Sequence, residues 1–212
     1  KKYVNLFVFV FMIGACLSQG RAQTKSAVSY KNPVVDIAMP DPTVIKAADG
    51  YFYVYATEST RNVPIMKSKD LVEWTYCNTA FTNKTRPRFE PKAGIWAPDI
   101  NYINGKYVLY YAMSVWGGEQ TCGIGVATAN SPQGPFTDHG KMFRSNEIGV
   151  QNSIDPSLLQ YEGRNYLVWG SFRGIYVIEL TTDGLSIMPG AKKKRIAGTA
   201  FEAVYIHKHD DY

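Results

Sequence analysis

Asp41-Pro42-Thr43-Val44-Ile45, then Asp49-Gly50, then Tyr51-Phe52-Tyr53-Val54-Tyr55 is the stretch that decides the fold. An acid leads a short apolar strand, a turn pair follows, and a Tyr-rich strand returns. The pattern recurs as Asp99-Ile100-Asn101-Tyr102-Ile103, Asn104-Gly105, Tyr107-Val108-Leu109-Tyr110-Tyr111. It recurs again as Asp155-Pro156-Ser157-Leu158-Leu159, Glu162-Gly163, Tyr166-Leu167-Val168-Trp169. A fourth copy opens with Glu202-Ala203-Val204-Tyr205-Ile206 and reaches Asp210-Asp211 and Tyr212. The leading acids at 41, 99, 155 and 202 are therefore 58, 56 and 47 residues apart. A repeat of about 50 residues made of strands and tight turns marks a β-propeller blade. The expected fold is all-β, with about three and a half blades in this chain. No segment holds a helical period over three turns.

Each repeat continues with an apolar third strand, a polar turn and an aromatic or Leu anchor. These are Val63–Ser68 with Trp74, Cys122–Ala129 with Phe136, and Ile175–Leu180 with Leu185. Residues 84–94, with Pro87 and Pro91, read as the loop joining the first two blades. The run Lys192-Lys193-Lys194-Arg195 reads as a solvated loop, with contact to an acidic glycan as its alternative.

With 45% hydrophobic and 19% charged residues, the 212-residue chain has globular composition and enough length for a sizeable core. Fifteen Tyr and four Trp suit strands, and flat rings also suit stacking on sugar faces. Lys1-Lys2, the apolar run from Val4 to Cys16 and the small residues flanking Arg21 read as a secretory signal over residues 1–22. The alternative is a lipoprotein signal with Cys16 as the acylated residue, which would make the protein an outer-membrane lipoprotein rather than a freely exported one. Only in that case is a membrane partner expected. Residues 23–32 read as a linker, and 33–212 as a propeller domain incomplete at its C-terminus.

The leader holds Lys1, Lys2 and Arg21 and no acid, so the net charge of +5 falls to +2 without it. That balance gives no ground for a nucleic-acid partner. Cys77 and Cys122 lie in different repeats; an exported protein can bridge them, and two buried free thiols is the favoured state. His139, His207 and His209 form no zinc-spaced cluster with cysteine.

The four leading acids are not equivalent. From each acid to the second turn residue the count is 9 for Asp41, 8 for Asp155 and 9 for Glu202, but only 6 for Asp99. At about 3.3 Å per residue, Asp99 is expected about 7–10 Å further along its strand. Asp41, Asp155 and Glu202 are thus expected to cluster at one end of the axis, with Trp96 or Ala97 at the matching position of the second repeat. Clustered carboxylates cannot all ionise cheaply, so at least one pKa is expected to rise. One protonated acid beside one ionised base is the division of labour of glycoside hydrolysis.

Four segments, Asp41-Pro42-Thr43-Val44-Ile45, Trp96-Ala97-Pro98-Asp99, Ile154-Asp155-Pro156-Ser157 and Phe201-Glu202-Ala203-Val204-Tyr205-Ile206, resemble the signature motifs of glycoside hydrolase family 43. The resemblance runs from about Pro33 to the end. It implies a five-bladed propeller and hydrolysis of arabinose- or xylose-containing polysaccharide with inversion. It implies Asp41 as general base, Asp155 as the group that orients the acid and raises its pKa, and Glu202 as general acid. Val204 departs from the Pro usual there. Trp96, Asp99, Trp116, Phe172 and Arg173 are the expected substrate-binding residues. Trp169-Gly170-Ser171-Phe172-Arg173-Gly174-Ile175 resembles endo-arabinanases, which favours arabinan over xylan or arabinoxylan. No cofactor is required for the chemistry; an axial calcium in the complete protein would take ligands from outside this chain. A monomer is expected. A retaining enzyme and a non-catalytic sugar-binding propeller remain the alternatives.

Overall fold

The computed structural model describes residues 29–207. The leader and Cys16, His209 and the turn at Asp210-Asp211 lie outside them. From Lys31 onward the chain forms one compact unit.

Twelve strands form three four-stranded antiparallel sheets, each a meander in sequence order. Blade one holds β1 (Thr43–Lys46), β2 (Phe52–Tyr55), β3 (Pro64–Ser68) and β4 (Thr75–Thr79). Blade two holds β5 (Gly94–Ile103), β6 (Lys106–Ser114), β7 (Gly123–Ala129) and β8 (Thr137–Arg144). Blade three holds β9 (Ser157–Tyr161), β10 (Arg164–Trp169), β11 (Ile175–Leu180) and β12 (Lys194–Ala197). One short helix, α1 (Ser145–Ile148), links the second blade to the third.

The hairpin chemistry follows the turn residues. Asn104-Gly105 and Glu162-Gly163 are two-residue turns with both φ angles positive, 48° and 82° in the first and 48° and 73° in the second. Such turns match the right-handed twist of the strands they join. The first hairpin is looser. Residues 47–51 separate β1 from β2, and Asp49 closes the loop by accepting from Tyr51 N at 3.0 Å and the Tyr53 hydroxyl at 2.7 Å.

Period-two alternation makes blade two a two-faced core. On β6, Leu109, Tyr111 and Met113 pack toward blade one with Tyr53, Tyr55 and Ile65. Val108 and Tyr110 face the other way and pack with Leu167, Trp169 and Ile178 of blade three. Each such fully buried side chain is worth about 1.5–3 kcal/mol relative to exposure. Gly125 leaves room for the Tyr111 ring; a Cβ there would sit 2.4 Å from it.

The loop after blade one is more than a linker. Arg86 is buried and forms an ion pair with Glu58, and it donates to Asn62 Oδ1 at 3.2 Å and Ala93 O at 2.8 Å. Burial alone would raise the Glu58 pKa, but Arg86 and the N–H groups of Asn62 and Ile95 hold it below the usual value. The basic run also differs from expectation. Lys194 and Arg195 belong to β12, paired with Val177 and Tyr176, and their exposed side chains ride on an outer strand rather than a loop. Backbone pairing on β11 needs no apolar pattern, which is why composition hid the strand. Cys77 is half-buried and Cys122 buried, and both are free thiols.

Candidate active site

The strand-leading segments of all three blades, and the chain after β12, open onto one cavity of about 1020 Å³. Asp41, Asp155 and Glu202 all line it. Each comes from a different repeat, so folding alone brings the carboxylates together.

Backbone dihedrals set the phase of these segments more sharply than turn counting does. Asp41, Ala97, Asp155 and Ala203 all hold left-handed φ angles, of 49°, 41°, 58° and 50°. They are the equivalent residues of the four repeats. Pro40, Trp96, Ile154 and Glu202 each stand one position earlier. The cross-repeat hydrogen bonds agree: Glu58 N donates to Ile95 O, and Phe172 N donates to Phe201 O. Glu202 is therefore in phase with Trp96, not with Asp41 and Asp155. The count misled because the first hairpin loop is longer than those of the second and third repeats. By the same phase Asp99 is two residues beyond Ala97, level with Thr43 and Ser157, with a bulge in β5 between Trp96 and Asp99. Its displacement is about 7 Å along the strand, at the near end of the expected range.

Each of the three acids is held by one donor. The Thr57 hydroxyl donates to Asp41 Oδ2 at 2.6 Å. The Ala203 N–H bonds the Asp155 carboxylate. Ser171 Oγ donates to Glu202 Oε2 at 3.3 Å, across an isolated bridge between Ser171 and Glu202. Among the described residues the fourth repeat contributes this bridge and no strand.

Asp155 is the acid whose pKa rises, to about 6, through burial first and then through the negative charges of Glu202 and Asp41. That is the rise expected where carboxylates share a site. Asp99 also rises to about 6, chiefly through burial, against hydrogen bonds that favour its charge. It is only 7% exposed. Its Oδ2 accepts from Leu158 N and Asn101 Nδ2, both at 2.7 Å, and its Oδ1 accepts from Thr43 Oγ1 at 3.4 Å. Asp99 lines the cavity as well, but it ties β1, β5 and β9 together there, and these bonds leave its oxygens little capacity for a substrate.

The expected aromatic residues divide. Trp116 is 94% exposed and lines the cavity, its ring 5.6 Å from that of Trp96. Phe172, exposed and with φ of 49°, lines it too. Arg173 is not among the lining residues. It donates from Nε and Nη2 to Glu119 at 3.1 Å, and Glu119 lines the cavity in its place. Gly170 shapes this wall: with φ of 128°, a Cβ on it would meet Gly174 O at 2.2 Å. Thr57, Ser171, Glu119 and Tyr205 escaped the sequence reading. For Thr57 and Ser171 the signal was their place just after the second strand of a repeat. No group of three or more His, Cys, Asp or Glu among the described residues is arranged to hold a metal ion.

Residues 30–212 match the glycosyl hydrolases family 43. The extracellular endo-α-(1→5)-L-arabinanase 1 of Bacillus subtilis is 38% identical over 140 residues, 62% of this chain and 43% of its own length. A probable arabinan endo-1,5-α-L-arabinosidase C of Neosartorya fischeri is 32% identical over 79% of this chain and 54% of its own. The Cellvibrio cellulosa α-L-arabinanase, solved in complex with arabinohexaose, superposes with a TM-score of 0.67 at 28% identity, covering 76% of this chain and 54% of that one. The chain spans about half the length of the relatives it matches. By the family match, the repeat and the blades together, this chain belongs to glycosyl hydrolases family 43, whose five-bladed propeller architecture it shares.

Proposed function

We propose that the protein to which this chain belongs is an inverting glycosidase that cleaves α-1,5-linked arabinan. The observation that carries the proposal is the convergence of Asp41, Asp155 and Glu202 on one cavity, where burial first and then the charges of the other two raise the Asp155 pKa. The names of the arabinan-cleaving relatives support arabinan over xylan. The aromatic residues Trp96, Trp116 and Phe172 line the cavity and give flat faces on which sugar rings can stack. The extracellular Bacillus relative supports export.

In this mechanism Asp41 takes a proton from a water as that water attacks the anomeric carbon. The glycosidic C–O bond breaks, and the leaving oxygen takes a proton from Glu202. One product therefore carries the inverted anomeric configuration, and Asp41 and Glu202 have exchanged protonation states. Asp155, close enough to feel the charges of both Glu202 and Asp41, orients the acid and is not itself part of the proton exchange.

The test is product analysis of the full-length protein on debranched arabinan, arabinoxylan and aryl glycosides, with the first anomer read by proton NMR. Asp41→Ala is expected to lower kcat on every substrate by about 10²–10⁴-fold. Glu202→Ala is expected to spare aryl substrates with good leaving groups, which need little protonation. A retained first anomer would refute inversion, and sugar binding without turnover would favour a non-catalytic propeller.

A further inference from the structure

We infer that Thr57 is a positioning residue for Asp41 and that it selects Oδ1 as the oxygen that receives the proton from water. This rests on Asp41 acting as the base. Thr57 stands two residues past the end of β2, and three hydrogen bonds fix it. Its N–H donates to Pro40 O at 2.9 Å, which locks it against the residue before Asp41. Its Oγ1 accepts from Ala97 N at 2.7 Å. The same Oγ1 donates to Asp41 Oδ2 at 2.6 Å.

The proton count makes the arrangement directional. A hydroxyl has one proton to give. Ala97 N–H is a donor only, so the Thr57 proton is left for Asp41. An oxygen already accepting a short bond is the poorer proton acceptor, and a carboxylate has two. Thr57 thus occupies Oδ2 and leaves Oδ1, which has no partner among the described residues, for the water. It also stops rotation of a side chain whose backbone is held left-handed at φ 49°. The third bond gives the device its reach. Ala97 adjoins Trp96, so one hydroxyl connects the base to the blade that bears the Trp96–Trp116 pair.

The alternative is a structural one: Thr57 merely ties blade one to blade two through Ala97. The two readings differ in which rate constant moves. A misplaced base slows the chemical step for all substrates alike, because every substrate needs an activated water. A loosened blade contact lowers the melting temperature and raises KM.

The experiment compares Thr57→Val, Thr57→Ala and Thr57→Ser in the full-length protein, on debranched arabinan and on an aryl arabinofuranoside with a good leaving group. Rates are normalised to folded protein by circular dichroism. Thr57→Val and Thr57→Ala are expected to lose between about tenfold and hundredfold in kcat on both substrates, with KM little changed, as for a small misplacement of a reacting group. Thr57→Ser, which keeps all three bonds, is expected to restore kcat. A loss that vanishes on normalisation, falls on KM alone, or spares the aryl substrate as Glu202→Ala should, overturns the role of Thr57. So does a Thr57→Ser variant as slow as Thr57→Val. If the wild-type protein cleaves neither substrate, the arabinan-cleaving reading fails, independently of Thr57.

Discussion

Blades one and three begin with a carboxylate on a left-handed residue; blade two begins with a methyl group on the same backbone. Asp41 and Asp155 face the cavity at φ 49° and 58°, and Ala97 takes their place at φ 41°. Blade two puts its acid two residues on, at Asp99, where the strand has turned inward and the side chain is buried. The difference separates two tasks that one residue type performs. A carboxylate at the strand start faces the open cavity; moved about 7 Å down the strand, it still borders the cavity but is taken up by backbone and side-chain donors. There it holds β9, three residues past Asp155, to β1, two residues past Asp41. The buried acid of blade two sets the spacing of the acids that lead blades one and three.

The largest break in that comparison should come from Asp99→Ala. It leaves the Leu158 N–H without its partner in a buried junction and frees Asn101 as well. A buried donor left unsatisfied costs about 1–3 kcal/mol. Chemical denaturation of the full-length protein should show a loss of at least that size. Asp99→Asn should recover only part of it, since an amide offers one acceptor oxygen where Asp99 uses two. A variant as stable as wild type would show that the three strands are held by packing alone.

Much of this was legible in the sequence. The acid–strand–turn–strand repeat located the leading strands, and Asn104-Gly105 and Glu162-Gly163 announced their hairpins. Composition could not show the fourth strands: β12 is Lys194–Ala197, an exposed outer strand held by pairing rather than by apolar contact. The three cavity acids were readable because recurrence is visible without coordinates. Their phase was not. Turn counting assumes equal hairpin loops, and the loop between Lys46 and Phe52 is longer than the other two. Arg173 was misjudged because a cation beside a cavity aromatic reads as a ligand group, whereas Glu119, 54 residues away in sequence, claims it. Arg86 was invisible for the same reason, being buried only through its distant partner Glu58.

Titration gives a second, smaller way to separate the blades. Asp99 and Asp155 both have folded pKa values of about 6 against an ordinary 3.8. A raised carboxylate binds more protons folded than unfolded between those values. Its contribution to stability is complete below the ordinary pKa and is lost as pH rises through the folded one. Stability should therefore fall between about pH 4 and pH 6 and level off above. Glu58, shifted the other way, acts only at lower pH. Asp155→Asn removes one of the two terms without breaking the Asp99 junction. It should flatten the decline by about 2 kcal/mol, discounting the two-unit shift for partial exposure. Urea midpoints at pH 4 and pH 7 measure this. An unchanged slope would mean that burial and the charges of Glu202 and Asp41 do not raise the Asp155 pKa as its position implies. The same variant should be nearly inactive, stabilised at neutral pH at the expense of function.

The smallest effect concerns the residue one position before the left-handed one, where blade two carries Trp96 and the fourth repeat carries Glu202. The phase makes them counterparts at the cavity: one presents a ring, the other a carboxylate. Trp96 is half-buried and leans on Trp116, which is almost wholly exposed. A ring so exposed gains little from packing against protein, so its removal should scarcely touch stability. Aromatic contacts of this kind are worth about 0.5–1.5 kcal/mol. Trp116→Ala should therefore raise KM for arabinan by up to about tenfold, leaving kcat and the melting temperature near wild type. A short aryl glycoside that does not reach Trp116 should show no change in KM. A fall in kcat on that short substrate would place Trp116 at the reacting sugar, and the paired tryptophans would then shape the bond-breaking step rather than hold the chain beside it.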